Sequence, residues 1–139
     1  MIQNACRPFV FAISLLAAQT AEAGQCFTTG PRYHLEADTV EWRMEIRSNE
    51  NCVRGVRFSY VYNATVSVVT APRFGKVAVV GSGFSYSTMP NFRGEDSFVI
   101  AVLGDKKKVR GVSNIHVAVS VSDTKRTKVP TFARFEASY

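Results

Sequence analysis

Hydrophobic and polar residues alternate along most of the chain after residue 23, and a period of two is the pattern of β-strands. The clearest case is TVEWRMEIRS, in which Val40, Trp42, Met44 and Ile46 alternate with charged residues. No stretch in this region repeats its apolar residues with the 3.6-residue period of an amphipathic helix. The pattern therefore predicts an all-β protein.

Further strands are predicted in the rest of this region. They lie in GVRFSYVYNATVSVV, with Val56, Phe58, Tyr60 and Tyr62 on one face; in KVAVV and FSYST, joined by a tight turn at residues 81–83; in SFVIAVL, with Phe98, Ile100 and Val102 inward; and in VSNIHVAVSV, with Ile115, Val117, Val119 and Val121 inward. About seven short strands with frequent turn signals favour an antiparallel β-sandwich of two sheets.

The first 23 residues have the composition of a cleavable signal peptide. Arg7 precedes an apolar run over residues 9–18, and the small residues Ala21 and Ala23 follow it. The run is about half the ~20 residues that a membrane-spanning helix needs. We therefore predict export to the periplasm or the medium, a mature chain that begins near Gly24, and no transmembrane span in that mature chain.

Cleavage at this point also changes the number of cysteines. Cys6 leaves with residues 1–23, and Cys26 and Cys52 remain. An even pair in an exported protein indicates a disulfide bond. A redox or metal-binding pair is the alternative, but the two residues lack the Cys-x-x-Cys spacing. We expect a structural disulfide between Cys26 and Cys52.

The stretch NFRGEDSF, residues 91–98, is predicted to form a corner between two strands. Phe92 is expected to close one end of the core, and Gly94 to adopt a backbone angle that other residues resist. Asp96 is expected to accept hydrogen bonds from turn amides, and Phe98 to begin the next inward-facing row. Each residue type has a structural role here.

Residues 72 to about 121 resemble the bacterial immunoglobulin-like and cadherin-like repeat domains of large surface proteins. The matching positions are Pro72, Gly75, Phe84, Tyr86, Phe92, Gly94, Asp96 and Phe98. This chain departs from the family pattern at Thr88, where proline is usual, and at Gly104 and Asp105, which stand in the reverse order. The resemblance implies a single, divergent immunoglobulin-like domain over residues 24–122, in an envelope protein.

In that family, some modules coordinate calcium where neighbouring modules join. The present sequence has no internal repeat and no neighbouring module. We therefore expect no metal ion and no other cofactor.

Candidate catalytic residues are few. His34 and His116 each lie in a predicted strand without companion metal ligands. Glu95 and Asp96 are adjacent, so along a strand they point to opposite faces and cannot share a substrate. No nucleophile and base pair is recognisable, and phosphate-binding loops are absent. The sequence predicts a non-catalytic protein; a small secreted enzyme or enzyme inhibitor without a recognisable motif is the alternative.

Positive charge is the remaining signal, with 17 Lys and Arg against 11 Asp and Glu and a net charge of +6. One cluster, on a predicted hairpin tip, contains Lys106, Lys107, Lys108 and Arg110. The other is a basic tail, residues 123–139. A binding surface for an anionic glycan or another envelope protein is one interpretation. A solvated loop that keeps a sheet edge from aggregating is the other. Nucleic acid is not expected as a partner of an exported domain.

Aromatic side chains offer a second possible surface. Trp42, Tyr60 and Tyr62 would form a sugar-stacking platform if they lay on an exposed sheet face. The alternation pattern places the same residues in the core, and we favour the core. The function predicted from sequence is thus a non-catalytic binding or structural module of the bacterial cell envelope.

Overall fold

The computed structural model describes residues 26–123, which contain eight strands and no helix. The predicted signal peptide and the basic tail beyond residue 123 lie outside the described residues. The strands are β1 (Phe27–Thr29), β2 (Asp38–Arg47), β3 (Asn51–Gly55), β4 (Tyr62–Thr70), β5 (Gly75–Val80), β6 (Gly83–Thr88), β7 (Gly94–Lys106) and β8 (Val109–Ser122). Within this part of the chain, no helix is long and apolar enough to cross a membrane.

The strands form two sheets, one with the order β1-β2-β8-β7-β4 and one with the order β3-β6-β5. Aromatic contacts join them: the ring centroid of Phe98 on β7 lies 5.3 Å from that of Phe84 and 5.6 Å from that of Tyr86, both on β6. The prediction of an all-β protein with two packed sheets is confirmed.

The described residues form eight strands where about seven were expected; the alternation marked neither β1 nor β3, which have only three and five residues. One detail of the predicted sandwich is wrong: it is not wholly antiparallel, since β2 and β8 pair in parallel from Asp38 and Ser113 to Arg47 and Ser122. Alternation of side chains is the same in either direction, so the sequence pattern carries no information on strand direction.

The core is built from the inward residues of these alternating strands. Trp42, Met44 and Ile46 are buried, as are the predicted inward residues of β7 and β8. Burial of a large aliphatic or aromatic side chain contributes about 1.5–3 kcal/mol, so these rows supply most of the driving force for sheet packing. The largest fully buried side chain outside the strands is Tyr33.

The strand predicted through residues 56–62 is wrong over most of its length. Residues 56–61 form a loop, and β4 begins only at Tyr62, whose side chain is 58% exposed. Val56 is buried, while Phe58 and Tyr60 pack partly against the core. Alternate residues of the loop therefore face inward without strand pairing, which is why the periodicity resembled that of a strand.

The corner before β7 is formed largely as its sequence suggests. Phe92 stacks on Phe74 with ring centroids 4.7 Å apart, and Gly94 has a φ of 130°. The Asp96 carboxylate accepts hydrogen bonds from the amides of Arg73 at 3.0 Å and Phe74 at 3.1 Å. This carboxylate therefore connects the corner to the turn that precedes β5.

Tyr86 completes the same network. Its hydroxyl donates to Asp96 Oδ2 at 2.8 Å, and the backbone amide of Ser97 donates to Asp96 Oδ1 at 2.9 Å. Burial is the main cause that raises the pKa of Tyr86, and the hydrogen bond to Asp96 and its negative charge add to the effect. A buried acid with these partners has a structural role.

Cys26 and Cys52 form a disulfide bond with a Cα–Cα distance of 5.5 Å. Cys26 directly precedes β1, the edge strand of the larger sheet, and Cys52 lies on β3, an edge strand of the smaller sheet. The bond therefore joins the two sheets along one open side of the sandwich.

Candidate functional site

The tip of the β7–β8 hairpin consists of Lys107 and Lys108. Their φ angles are 48° and 64°, and both side chains are exposed. Two consecutive positive φ values are the arrangement of a type I′ turn, which strongly favours Asn-Gly. A left-handed conformation costs roughly 1–2 kcal/mol for a residue with a Cβ atom. The sequence thus places two lysines at positions where the backbone disfavours them.

The other two residues of the predicted basic cluster are neutralised by neighbours. Lys106 Nζ lies 3.1 Å from a carboxylate oxygen of Glu36, and Arg110 lies 3.2 Å from a carboxylate oxygen of Asp105. Lys107 and Lys108 form no ion pair within residues 26–123. The unpaired positive charge of the cluster therefore lies at the tip of the hairpin.

Residues 30–37, which cross this end of the sandwich, are anchored by Asp38. Its carboxylate accepts hydrogen bonds from the Ser113 hydroxyl and from the amides of His34 at 3.0 Å and Glu36 at 3.1 Å. Burial tends to raise the pKa of Asp38, but these hydrogen bonds outweigh it and the pKa is lowered from its usual value. Ser113 also accepts from the amide of Leu35 at 2.8 Å.

Tyr33, within residues 30–37, forms an aromatic cluster with Phe58 and Tyr60. The rings of Tyr33 and Phe58 are 5.2 Å apart, and those of Phe58 and Tyr60 are stacked at 5.6 Å. The Tyr60 hydroxyl donates to the Tyr33 carbonyl at 2.8 Å. Burial, with a smaller effect of Tyr60, raises the pKa of Tyr33 to about 12, so this phenol stays neutral at physiological pH.

Positive charges surround the exposed side of this cluster. Burial raises the pKa of Tyr60, while the charges of Arg32 and Lys106, which lower it, offset part of the effect. The Arg32 guanidinium also lies 5.7 Å from the centroid of the Phe58 ring. We call Arg32, Lys106, Lys107, Lys108 and Arg110 the basic end of the molecule.

A groove opens beside the basic end. It has a volume of about 310 Å³ and is lined by Thr28, Thr29, Gly30, Arg32, Trp42, Arg54, Gly55 and Phe58. These residues come from β1, β2, β3 and the two loops that follow β1 and β3, so the groove lies between the two sheet edges that the disulfide joins. Arg32 belongs to both the groove and the basic end.

Some polar side chains that line the groove have hydrogen-bond or ion-pair partners among the described residues, and others have none. Arg32 and Arg54 have no ion pair with any residue from 26 to 123. The Thr28 Oγ1 atom is buried and has no hydrogen-bond partner among the described residues. Trp42 Nε1 donates to the Pro31 carbonyl at 2.9 Å, and the side chain is almost wholly buried, so little of the indole faces the groove.

The aromatic residues singled out as a sugar-stacking platform do not share one surface. Trp42 is 4% exposed, Tyr60 is partly buried, and Tyr62 is exposed on β4 at the opposite edge of the larger sheet. The core assignment holds for Trp42 and in part for Tyr60. It is wrong for Tyr62, because the loop breaks the alternation: Val61 is buried, and Tyr62, the first residue of β4, is exposed.

The candidate catalytic residues are also separated. Glu95 accepts a hydrogen bond from Ser120 at 3.0 Å on the exposed face of the larger sheet, whereas Asp96 is buried on the opposite face. His116 contacts Glu41 on the exposed face, and His34 lies in the loop over residues 30–37. Within residues 26–123, no three His, Cys, Asp or Glu side chains are grouped so as to hold a metal ion.

Arg32 and Arg54 were not predicted from the sequence. Arg32 has no Lys or Arg near it in the chain, Arg54 has only Arg57, and the two are 22 positions apart, so no cluster marks them. Their one local signal is proximity to the cysteine pair, since a disulfide between Cys26 and Cys52 brings the segments that follow the two cysteines side by side.

No family model matches the chain, and no curated protein matches it. Among solved structures, the crystal structure of a sialyltransferase from Photobacterium damsela is similar, with a TM-score of 0.36 and 10% sequence identity. The similarity covers 60% of this chain and 18% of that chain. A likeness at this level carries no argument about fold, activity or ligand.

Proposed function

We propose that this protein is an exported, non-catalytic module of the bacterial cell envelope that binds an anionic polysaccharide through its basic end. The signal-peptide pattern of residues 1–23 supports export to the periplasm or the medium. The resemblance of residues 72–121 to immunoglobulin-like and cadherin-like surface domains supports an immunoglobulin-like sandwich with an envelope role.

The observation that carries the proposal is the pair of lysines at the hairpin tip. A turn that only needed to reverse the chain would be better served by Asn-Gly, yet Lys107 and Lys108 occupy it at positive φ. Strain of this kind is kept where surrounding structure supports it, and it concentrates at functional positions. Here its effect is to hold two unpaired cations at the outermost point of the hairpin.

The surroundings of the tip support an anionic partner. Lys106 and Arg110 are paired with Glu36 and Asp105, while the two tip lysines keep an unpaired charge among the described residues. Loops at the end of a sandwich are the usual binding surface of such folds. A polymer with repeated negative charges would contact the tip and then Arg32 along the same end of the molecule.

The proposal is tested by replacing both tip lysines in K107Q/K108Q and measuring binding to polygalacturonate at increasing salt. We expect weaker binding and a shallower salt dependence, because two interacting charges are removed. The matched control is R43Q/K76Q, which removes two exposed cations from other parts of the surface and so gives the same net charge. Equal affinities of the two variants would contradict the proposal.

An envelope protein with an acidic surface is the alternative partner. K107Q/K108Q would bind such a partner more weakly as well, but the unsubstituted protein would then bind no soluble polysaccharide, neither polygalacturonate nor uncharged dextran. Absence of binding to polygalacturonate by the unsubstituted protein would therefore reject the polysaccharide.

A further inference from the structure

We propose that the free edge of β4 pairs with the same edge of a second copy of this chain, and that this pairing forms a closed dimer. The inference goes beyond the proposed function and does not depend on it. Strand β4 is the last strand of the larger sheet, and within residues 26–123 its only hydrogen-bonded neighbour is β7. One row of backbone N–H and C=O groups along β4 is therefore available to another strand.

The composition of β4 lacks the features that usually protect an edge strand. Natural edge strands are short, or they carry charged residues or proline, which oppose pairing with another chain. Residues 58–71 contain no charged residue and no proline, although 20% of the chain is charged. The other three edge strands of the described residues are protected, because β1 has three residues, β3 carries Arg54 and β5 carries Lys76. The composition therefore marks β4 as the edge that accepts a strand.

Two valines on this side of the sandwich indicate an apolar partner. Val68 on β4 lies opposite the buried Ile100, and Val79 on β5 lies opposite the buried Phe84, so both valines are on the inner faces of their sheets. They are nevertheless 38% and 47% exposed, because β4 and β5 are the outermost strands here. The core is thus open along the β4–β5 side, and apolar side chains of a partner would bury its exposed surface.

A second copy of the chain has the chemistry that this side requires. It supplies an uncharged edge of the same length, and a two-fold axis places its Val68 and Val79 against the same exposed surface. An acidic partner protein would suit a chain of net charge +6, but it would find no cation on β4. The edge therefore favours a partner that is itself uncharged and rich in β-branched residues, as β4 is.

Charge indicates that the two β4 strands are antiparallel. Tyr62, the first residue of β4, lies opposite Asp105, close to the tip of the β7–β8 hairpin. Parallel pairing would bring Lys107 and Lys108 of both copies to the same end of the dimer, where like charges repel. Antiparallel pairing places the two tips at opposite ends, so each dimer presents two separate basic ends.

The dimer is expected to be weak and to stop at two chains. The register of β4 on β7 is irregular between Tyr62 and Thr65 and again between Val68 and Thr70, so the regular stretch is short. Small interfaces are usually weak, and we expect a dissociation constant on the order of 100 μM. The other edge of β4 is occupied by β7, so one pairing uses the free edge completely and the assembly closes.

Residues 124–139 of the same chain are a competing occupant of the edge. Their first half contains Lys125, Arg126, Lys128 and Pro130. Proline has no backbone N–H to donate, and lysine at an edge opposes pairing. The sequence of this segment therefore fits the β4 edge less well than β4 itself does.

The test is sedimentation velocity of the disulfide-bonded chain from Gly24 to Tyr139, at concentrations from about 1 μM to about 1 mM. The mass should rise from one chain to two and no further. S67K adds a lysine in the regular stretch of β4, where the two-fold axis brings a second lysine near it, and should weaken dimerisation by about tenfold or more. The matched control S97K adds the same charge to the outer face of the central strand β7 and should change it by less than about threefold.

Folding and apolar contact are checked separately. Ser67 and Ser97 are both exposed, so urea unfolding of S67K and S97K should give nearly the same stability as the unsubstituted protein. V68T/V79T keeps the β-branched shape but places hydroxyls at the open side of the core, and it should weaken dimerisation by about threefold or more.

Amide hydrogen exchange identifies the occupant of the edge. Exchange of the amides of residues 65–68 should slow as the protein concentration rises, because the second copy supplies their hydrogen-bond partners. Slow exchange of all four amides at the lowest concentration, where the protein is monomeric, would show that residues 124–139 cover the edge and would overturn the inference. A monomer at every concentration, growth beyond two chains, or equal dimerisation of S67K and S97K would overturn it as well.

Discussion

Neighbouring residues with the same chemistry have opposite roles in this protein. Glu95 and Asp96 are both acids, but they lie on opposite faces of β7. The sequence was sufficient to predict that separation, because successive side chains of a strand alternate. It also indicated that Asp96 bonds to turn amides. Its bond to Tyr86 was not predictable, since that contact depends on how the two sheets pack.

Replacing Asp96 by asparagine should destabilise the fold strongly. The carboxylate accepts four hydrogen bonds. The side-chain NH₂ group of asparagine is itself a donor, so it would face N–H or O–H donors that now bond to a carboxylate oxygen. We expect the free energy of unfolding in urea to fall by roughly 2–3 kcal/mol. The control E95Q removes the adjacent exposed acid and should change it by less than about 0.5 kcal/mol. Similar effects of the two variants would show that the Asp96 network is not stabilising.

At the scale of elements, the β7–β8 hairpin combines a strained turn with long paired strands. Replacing its tip by the preferred residues in K107N/K108G should raise the free energy of unfolding by about 1–2 kcal/mol, because both positions adopt positive φ. The control K107Q/K108Q removes the same charges without relieving the backbone, so it should leave stability nearly unchanged. Both are measured by urea unfolding. If K107N/K108G had the same free energy of unfolding as this control, the turn would not be strained.

The loop over residues 30–37 is the element with the clearest dependence on pH. Because the pKa of Asp38 is lowered in the folded state, its contribution to stability is fully present above the ordinary value of 3.8. That contribution is lost as pH falls through the folded pKa. The stability difference between the unsubstituted protein and D38N should therefore shrink when urea unfolding is repeated from pH 6 down to pH 3. A difference that is constant over this range would show that Asp38 is not the anchor of the loop.

At the scale of the whole molecule, the disulfide adds a covalent bond between the edges of the two sheets. It links cysteines 26 positions apart, and closing a loop of that length should stabilise the fold by about 3–4 kcal/mol on the chain-entropy model. We expect C26A/C52A to lower the free energy of unfolding by this amount, measured by urea unfolding. Reduction of the unsubstituted protein should give a similar loss. A loss of less than about 1 kcal/mol in both experiments would show that the sheets hold this side of the sandwich without the bond.

The inward-facing residues of β2, β7 and β8, and the residues that turn the chain before β7, were predictable from the sequence alone. These features depend on the period of side chains along a strand and on the local preferences of glycine and aspartate, which are properties of short segments. The pairing of Cys26 with Cys52 also followed from the sequence, because only two cysteines remain in the predicted mature chain.

The direction of β2 beside β8, the loop at residues 56–61 and the composition of the groove were not predictable from the sequence. Each depends on contacts between distant segments: Arg32 and Arg54 share a groove because two sheet edges meet there. Likewise, Lys106 and Arg110 looked equivalent to Lys107 and Lys108 in the sequence, yet Glu36 and Asp105 neutralise them. A charge pattern along the chain records which cations are present, whereas the fold decides which of them have partners, since an ion pair forms between residues that are close in space.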